Sequence, residues 1–154
     1  MAYFLIFSSH FNRDKGIDMG RLSLNHIELG TIRIWKAYSS HEKGQEIEGF
    51  HARNAYLPPQ YRLKNTSKYS VDLKPINLSH IKGVSGNFYR ILPYQIVTDK
   101  GYIRGDFGIH YDGGAIGSHG CIVMDKKRFK ELERELNFIF QKGIRKISLF
   151  VQYS

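Results

Sequence analysis

The stretch IHYDGGAIGSHGCIVM, residues 109–124, holds the chain's one cysteine, two of its seven histidines and four of its fifteen glycines. Cys121 directly follows Ser118-His119-Gly120, and His110 stands eleven residues before it. A thiol attacks carbonyl carbon as its thiolate, so a nucleophilic cysteine needs a neighbour that takes its proton or lowers its pKa. His110 is the candidate base, at the end of a strand-like stretch over residues 102–111. Gly113, Gly114 and Gly117 would let the chain turn back sharply and let backbone approach a ligand, bringing Cys121 next to the imidazole. Gly120 lacks a side chain, so backbone N–H groups near Cys121 can point at a developing oxyanion. A helix opening near Asp125 would add its dipole if its amino end faced the sulfur. Nucleophile, base and oxyanion donors together make the apparatus of acyl transfer.

The same residues admit plainer readings. A free cysteine is commonly a small buried hydrophobe, and His110 taken alone is a strand histidine with a satisfied hydrogen bond. His110, His119 and Cys121 could supply three ligands to zinc. Their spacing fits none of the familiar zinc patterns, however, and no second cysteine exists. The reading therefore expects no metal and no cofactor. His10, His26, His41, His51 and His80 are scattered and form no motif.

Charge opens another class. With 23 basic and 14 acidic residues the formal charge is +9, which favours an anionic partner. Ten Tyr and ten Phe could stack single-stranded nucleic acid over a basic groove. Against this, no RNA-binding, zinc-finger or helix-turn-helix signature is visible, so nucleic acid is not the expected partner. The basic residues are dispersed, and runs such as Lys126-Lys127-Arg128 are short, as on an ordinary solvated surface. The charge suits attraction to an anionic wall polymer equally well.

These residues need elements to position them. Short apolar–polar alternations recur along the chain. Residues 22–38 read as a hairpin turning at Gly30, with Ile32 and Ile34 on one face and Thr31, Arg33 and Trp35 on the other. Pro58 and Pro59 bar a central strand there. Residues 88–97 and 102–111 are two further strands, with a turn over 98–101. Residues 60–87, rich in Lys, Ser, Asn and Gly, read as loops. From Asp125 to Gly143, Phe129, Leu132, Leu136, Ile139 and Phe140 recur on one helical face, with Asp125 as N-cap and Gly143 closing the helix. Ile147, Leu149, Val151 and Tyr153 then alternate as a closing strand. The order predicts a mainly β sandwich or barrel with one long helix after Cys121.

At 154 residues the chain fits a single domain, 1–154. A lone cysteine excludes an internal disulfide, and no apolar run approaches a membrane span of about 20 residues. Tyr3–Phe7 reads as a strand and not as an export signal, because no basic leader precedes it and no small-residue cleavage site follows.

The 109–124 stretch resembles the signature of YkuD-type L,D-transpeptidases, in which an Ile-His pair is followed after a loop by Ser-His-Gly-Cys. The flanks resemble the family more weakly. Residues 58–63, PPQYRL, are similar to a Pro-rich family stretch, and the helix and closing strand match in order. The resemblance covers about residues 20–153 and is specific over 109–124. It implies that Cys121 forms a thioester with a peptidoglycan stem peptide and that His110 is its base, oriented by the Tyr111 carbonyl. It implies further that Ser118 and His119 shape the site, and that the Gly120 and Cys121 amides form the oxyanion hole. The acyl group would pass to an amine, giving crosslinking or exchange, or to water, giving carboxypeptidase trimming. Arg104 and Asp112 join Ser118 as candidate substrate-binding residues. Two departures stand out. The loop between His110 and His119 has eight residues, shorter than the family's usual span, and Val123 replaces a common Arg or Asn. A substrate-facing wall is thereby reduced, and Arg104 is the candidate replacement for the missing polar anchor. The expected place of action is the periplasm or cell wall, reached by non-classical delivery, as for an antibacterial effector or a phage wall enzyme.

Overall fold

The computed structural model describes residues 2–12, 16–17, 20–39, 57–59, 63, 68–81, 84–113 and 121–153. The chain opens with β1 (Tyr3–Ser9), the short β2 (Phe11–Asn12) and β3 (Gly16–Ile17), then β4 (Gly20–His26) and β5 (Gly30–Ala37). Next come β6 (Tyr69–Asp72), β7 (Ile76–Asn77), β8 (Asn87–Leu92), β9 (Gln95–Val97) and β10 (Ile103–Gly105). β11 (Gly108–Tyr111), β12 (Ile122–Met124), α1 (Lys126–Gln141) and β13 (Lys146–Tyr153) complete it.

The expected mainly β architecture with one late helix is what the chain forms. The main sheet runs β12-β11-β8-β6-β13-β1-β4-β5, with β7 paired to β8. It curls until its two ends nearly meet, so the sheet is barrel-like. The join is an antiparallel bridge between Tyr38, just past β5, and Val123 in β12, with backbone bonds of 2.9 and 2.7 Å. β1 and β13 pair in parallel, as do β11 and β12, while the remaining neighbours on the path are antiparallel.

One face of the strands and one face of α1 fill the interior. Leu5, Phe7, Leu22, Leu24, Val71, Ile91, Ile109, Ile122, Ile147 and Leu149 meet Phe129, Leu132, Leu136 and Ile139 from the helix. The Asp125 side chain accepts from the Arg128 amide and caps α1, and Gly143 follows the last turn at φ 88°, as the cap signals anticipate. No described helix is long and apolar enough to cross a membrane.

Three expectations need correction. First, the presumed loop region contains β6, which lies in the main sheet between β13 and β8. Tyr69, Val71 and Leu73 alternate inward, but Asp72 is also buried, which blurs the period. Its carboxylate is matched by Arg90 at 2.8 Å and Arg145 at 2.7 Å, two residues remote in sequence. Residues 60–62 and 64–67, with Tyr61 and Arg62 of the PPQYRL stretch, lie outside the described residues, while Pro58 and Pro59 are in no strand.

Second, residues 88–97 and 102–111 each divide into two short strands. The first breaks at Pro93, which has no N–H for a ladder. The second breaks at Asp106, whose φ of 60° turns the chain. Third, Ile32 and Ile34 do not share a face of β5 as expected, since Ile32 packs against the core while Ile34 does not. Leu24 pairs with Arg33 and Asn25 with Thr31, so Ile32 is the extra residue of a bulge. Past the bulge the phase shifts, Trp35 is buried and Ile34 is exposed.

Candidate active site

His110 and Cys121 stand on neighbouring strands. Ile109, His110 and Tyr111 pair with Ile122, Val123 and Met124. One further step back along the ladder sets Cys121 beside Gly108. Side chains alternate along a strand, so Gly108, His110, Cys121 and Val123 share one face. Ile109, Ile122 and Met124 turn to the main core. Strand spacing of about 4.8 Å and a two-residue advance of about 6.6 Å put the two Cα atoms roughly 8 Å apart, with both side chains on the same side.

Phe88 organises this face. It forms a small second cluster with Cys121 and Val123, edged by Tyr38, Leu78 and Val84. The His110 imidazole stacks on its ring, with centroids 5.9 Å apart and planes at 22°. Gly108 makes room for it, because a methyl group on Gly108 would overlap the Phe88 ring. One aromatic ring therefore backs both chemical groups.

The base is held by backbone. His110 Nδ1 lies 2.8 Å from the Tyr111 carbonyl, so Nδ1 carries the hydrogen that it donates there and Nε2 is the basic atom. Tyr111 itself is pinned. Its hydroxyl donates to the Ser85 carbonyl at 2.6 Å, its ring packs on Phe129, and the Lys126 ammonium lies 5.7 Å from its centroid. The Tyr111 carbonyl is thus placed where it can orient the His110 ring.

Both groups are deeply set, with Cys121 8 % and His110 7 % exposed. Burial pushes the Cys121 thiol up to about 12, although the Gly108 amide and the Arg104 charge favour the thiolate against the opposing Asp106 carboxylate. Burial likewise lowers His110 from its ordinary value, partly countered by the Tyr111 carbonyl and the Asp112 charge. Burial therefore favours the neutral thiol and the neutral imidazole at rest.

Other candidates are placed differently. Arg104 is fully buried in β10, its guanidinium 5.3 Å from the Phe107 ring centroid, and it acts on the sulfur from the protein interior. Asp112 is exposed just after β11. Its amide donates to the Met124 carbonyl at 2.7 Å, and its carboxylate accepts from the Tyr38 hydroxyl at 3.1 Å. Val123 is 2 % exposed inside the small cluster, where a polar side chain would lose its hydration. Ser118, His119 and Gly120, with Gly114 and Gly117, lie outside the described residues. The zinc alternative needs His119 and shares that fate. Among the described residues no three His, Cys, Asp or Glu gather as metal ligands.

One expectation about the helix fails. Strand β12 separates Cys121 from α1, and the α1 amino end is capped by Asp125. A helix terminus acts over its first turn, so the sulfur takes its help from the Gly108 amide instead. Sequence reasoning also missed Phe88, Gly108 and Tyr38. The Gly-x-His spacing of Gly108 and His110 was a usable signal for a shared strand face. Phe88 and Tyr38 reach the site only through sheet pairing. Compared with known proteins, the chain matches no family model, no curated protein and no solved structure.

Proposed function

We propose that this chain is a cysteine acyltransferase of L,D-transpeptidase type that acts on peptidoglycan stem peptides. The observation that carries the reading is one arrangement. His110 and Cys121 share a sheet face over Phe88, with Nδ1 of His110 tied to the Tyr111 carbonyl and Nε2 left basic. The Ser-His-Gly-Cys sequence supplies the substrate class, through its likeness to the wall enzymes. Place of action follows from substrate, the periplasm or cell wall.

In the proposed reaction His110 Nε2 takes the Sγ proton as sulfur attacks the carbonyl carbon of the donor peptide bond. The tetrahedral oxyanion is met by the amides at Gly120 and Cys121. Collapse breaks the C–N bond, and the leaving amine takes the proton back from His110. An amine or water then attacks the thioester, with His110 again removing and returning one proton. The buried positive charge of Arg104 stabilises the sulfur anion along the way.

The test uses muropeptides bearing tetrapeptide stems, incubated with the wild-type chain and with Cys121→Ala and analysed by mass spectrometry. Loss, exchange or crosslinking at the terminal residue with the wild type alone supports the reading and identifies the acceptor. No change with either protein overturns this substrate class, and labelling of a residue other than Cys121 by an acylating substrate overturns the site.

A further inference from the structure

Tyr38 and Asp112 come from opposite sides of the barrel closure and meet beside His110. Tyr38 ends the β5 side of the sheet, pairs its backbone with Val123 and packs its side chain against the cluster of Phe88 and Cys121. Asp112 follows β11 by one residue and lies two residues from His110. The phenol donates to Asp112 Oδ2 at 3.1 Å, while the Asp112 amide is anchored on Met124 at 2.7 Å. Asp112 is thus held at its backbone and at its carboxylate.

We propose that Tyr38 and Asp112 form a positioning pair for His110, in which Tyr38 holds the Asp112 carboxylate where it stabilises the imidazolium formed when His110 takes the Cys121 proton. The inference rests on His110 being the base of the proposed reaction. No covalent change occurs at the pair. One proton leaves Sγ and arrives at Nε2, and the carboxylate stays ionised throughout. The arrangement differs from a linear triad, because Nδ1 is already occupied by the Tyr111 carbonyl, so Asp112 acts through space. Burial and the Asp112 charge both raise the Tyr38 phenol, which keeps it a neutral donor.

Among the described residues, the groups that face this centre can be named strand by strand. Asp112 stands just past β11, Cys121 just before β12 and Tyr38 just past β5, and Phe88 of β8 is apolar. Arg104 of β10 and Asp106 beyond it act on the thiol with opposite signs. Asp112 is the carboxylate that acts on the imidazole.

The test uses the full chain as wild type, Asp112→Asn, Tyr38→Phe and the double variant. Each substitution keeps the shape of its side chain, and Tyr38→Phe keeps the backbone bridge. The His110 ring is titrated by nitrogen-15 NMR, and Cys121 is alkylated with iodoacetamide across the pH range. Neither readout needs the natural substrate, so a failure of the wall-enzyme reading is distinguishable from a failure of the pair. The expected result is a downward shift of the His110 titration in Asp112→Asn, with alkylation at neutral pH slowed about three- to tenfold, the effect of one partly screened charge. Tyr38→Phe gives a smaller shift in the same direction, and the double variant matches Asp112→Asn alone, because the phenol acts only through the carboxylate. An unmoved His110 titration in Asp112→Asn overturns the proposal. So does a double variant in which the two losses simply multiply.

Discussion

At the scale of single residues, the proposed chemistry turns on a thiol and an imidazole whose neutral forms burial favours. Cys121 is pushed up to about 12 and His110 is lowered. In the proposed reaction the thiolate is therefore formed during attack and is not stored beforehand. Alkylation of Cys121 should keep rising with pH well past about 8.5, where an ordinary cysteine levels off. A plateau below that point would show a standing ion pair and contradict this account. The base limb follows with its own sign. A lowered pKa means that His110 stays unprotonated, and competent as a base, to pH values below the usual histidine figure of about 6.5. Acyl transfer should therefore hold its rate as pH falls through that value and decline only below it. A pH–rate profile on muropeptides checks this. The chemical pair itself was legible from residue types and an eleven-residue interval. Its surroundings were not, because Phe88 and Tyr38 are brought in by pairing between strands far apart in sequence.

At the scale of elements, β8, β11 and β12 form one small platform, and Gly108 is the position that lets it close. Gly108→Ala would drive a methyl group into the Phe88 ring, from which both His110 and Cys121 take support. Overpacking of this kind costs about 1–3 kcal/mol, and the displaced ring takes the imidazole with it. Thermal unfolding should show a lower midpoint, and activity should fall by more than the loss of folded protein accounts for. An unchanged midpoint would mean that the ring moves aside freely. Legibility of the elements tracked how local their causes are. The helix showed itself through its Phe129–Ile139 stripe and its caps, all within one segment. β1 showed through a short apolar run and β13 through simple alternation. β6 was hidden because Asp72 occupies a buried strand position and is neutralised by arginines 18 and 73 residues away. The phase of β5 was hidden because the bulge at Ile32 is set by its partner strand.

At the scale of the whole molecule, Asp72 ties three strand regions together. Burial alone would raise its pKa, but hydrogen bonds from Arg145, the Lys74 amide and Arg90 hold it at about 2, against 3.8 for a free carboxyl. The folded value is depressed, so the stabilisation is fully present above about pH 4 and is lost as pH falls toward 2. The shift corresponds to about 2 kcal/mol. Urea midpoints should drop over that acid window in the wild type. Asp72→Asn should be less stable at neutral pH and show a flatter acid profile. Equal profiles for the two proteins would remove Asp72 from the account.

The closure of the barrel carries one more consequence. Between β5 and β12 the described residues supply a single bridge, Tyr38 with Val123. The β4–β5 ladder, in contrast, runs from Gly20 and Ala37 to His26 and Gly30. Local opening takes the least free energy where the fewest backbone bonds must break together. The Tyr38 and Val123 amides should thus trade their protons for solvent deuterium sooner than those inside the β1–β4–β5 ladders. Cys121 borders this seam, and an acyl chain resting across it would brace both sides. Deuterium uptake at these two amides should slow when a stem peptide occupies the site, giving a reporter of binding that needs no turnover.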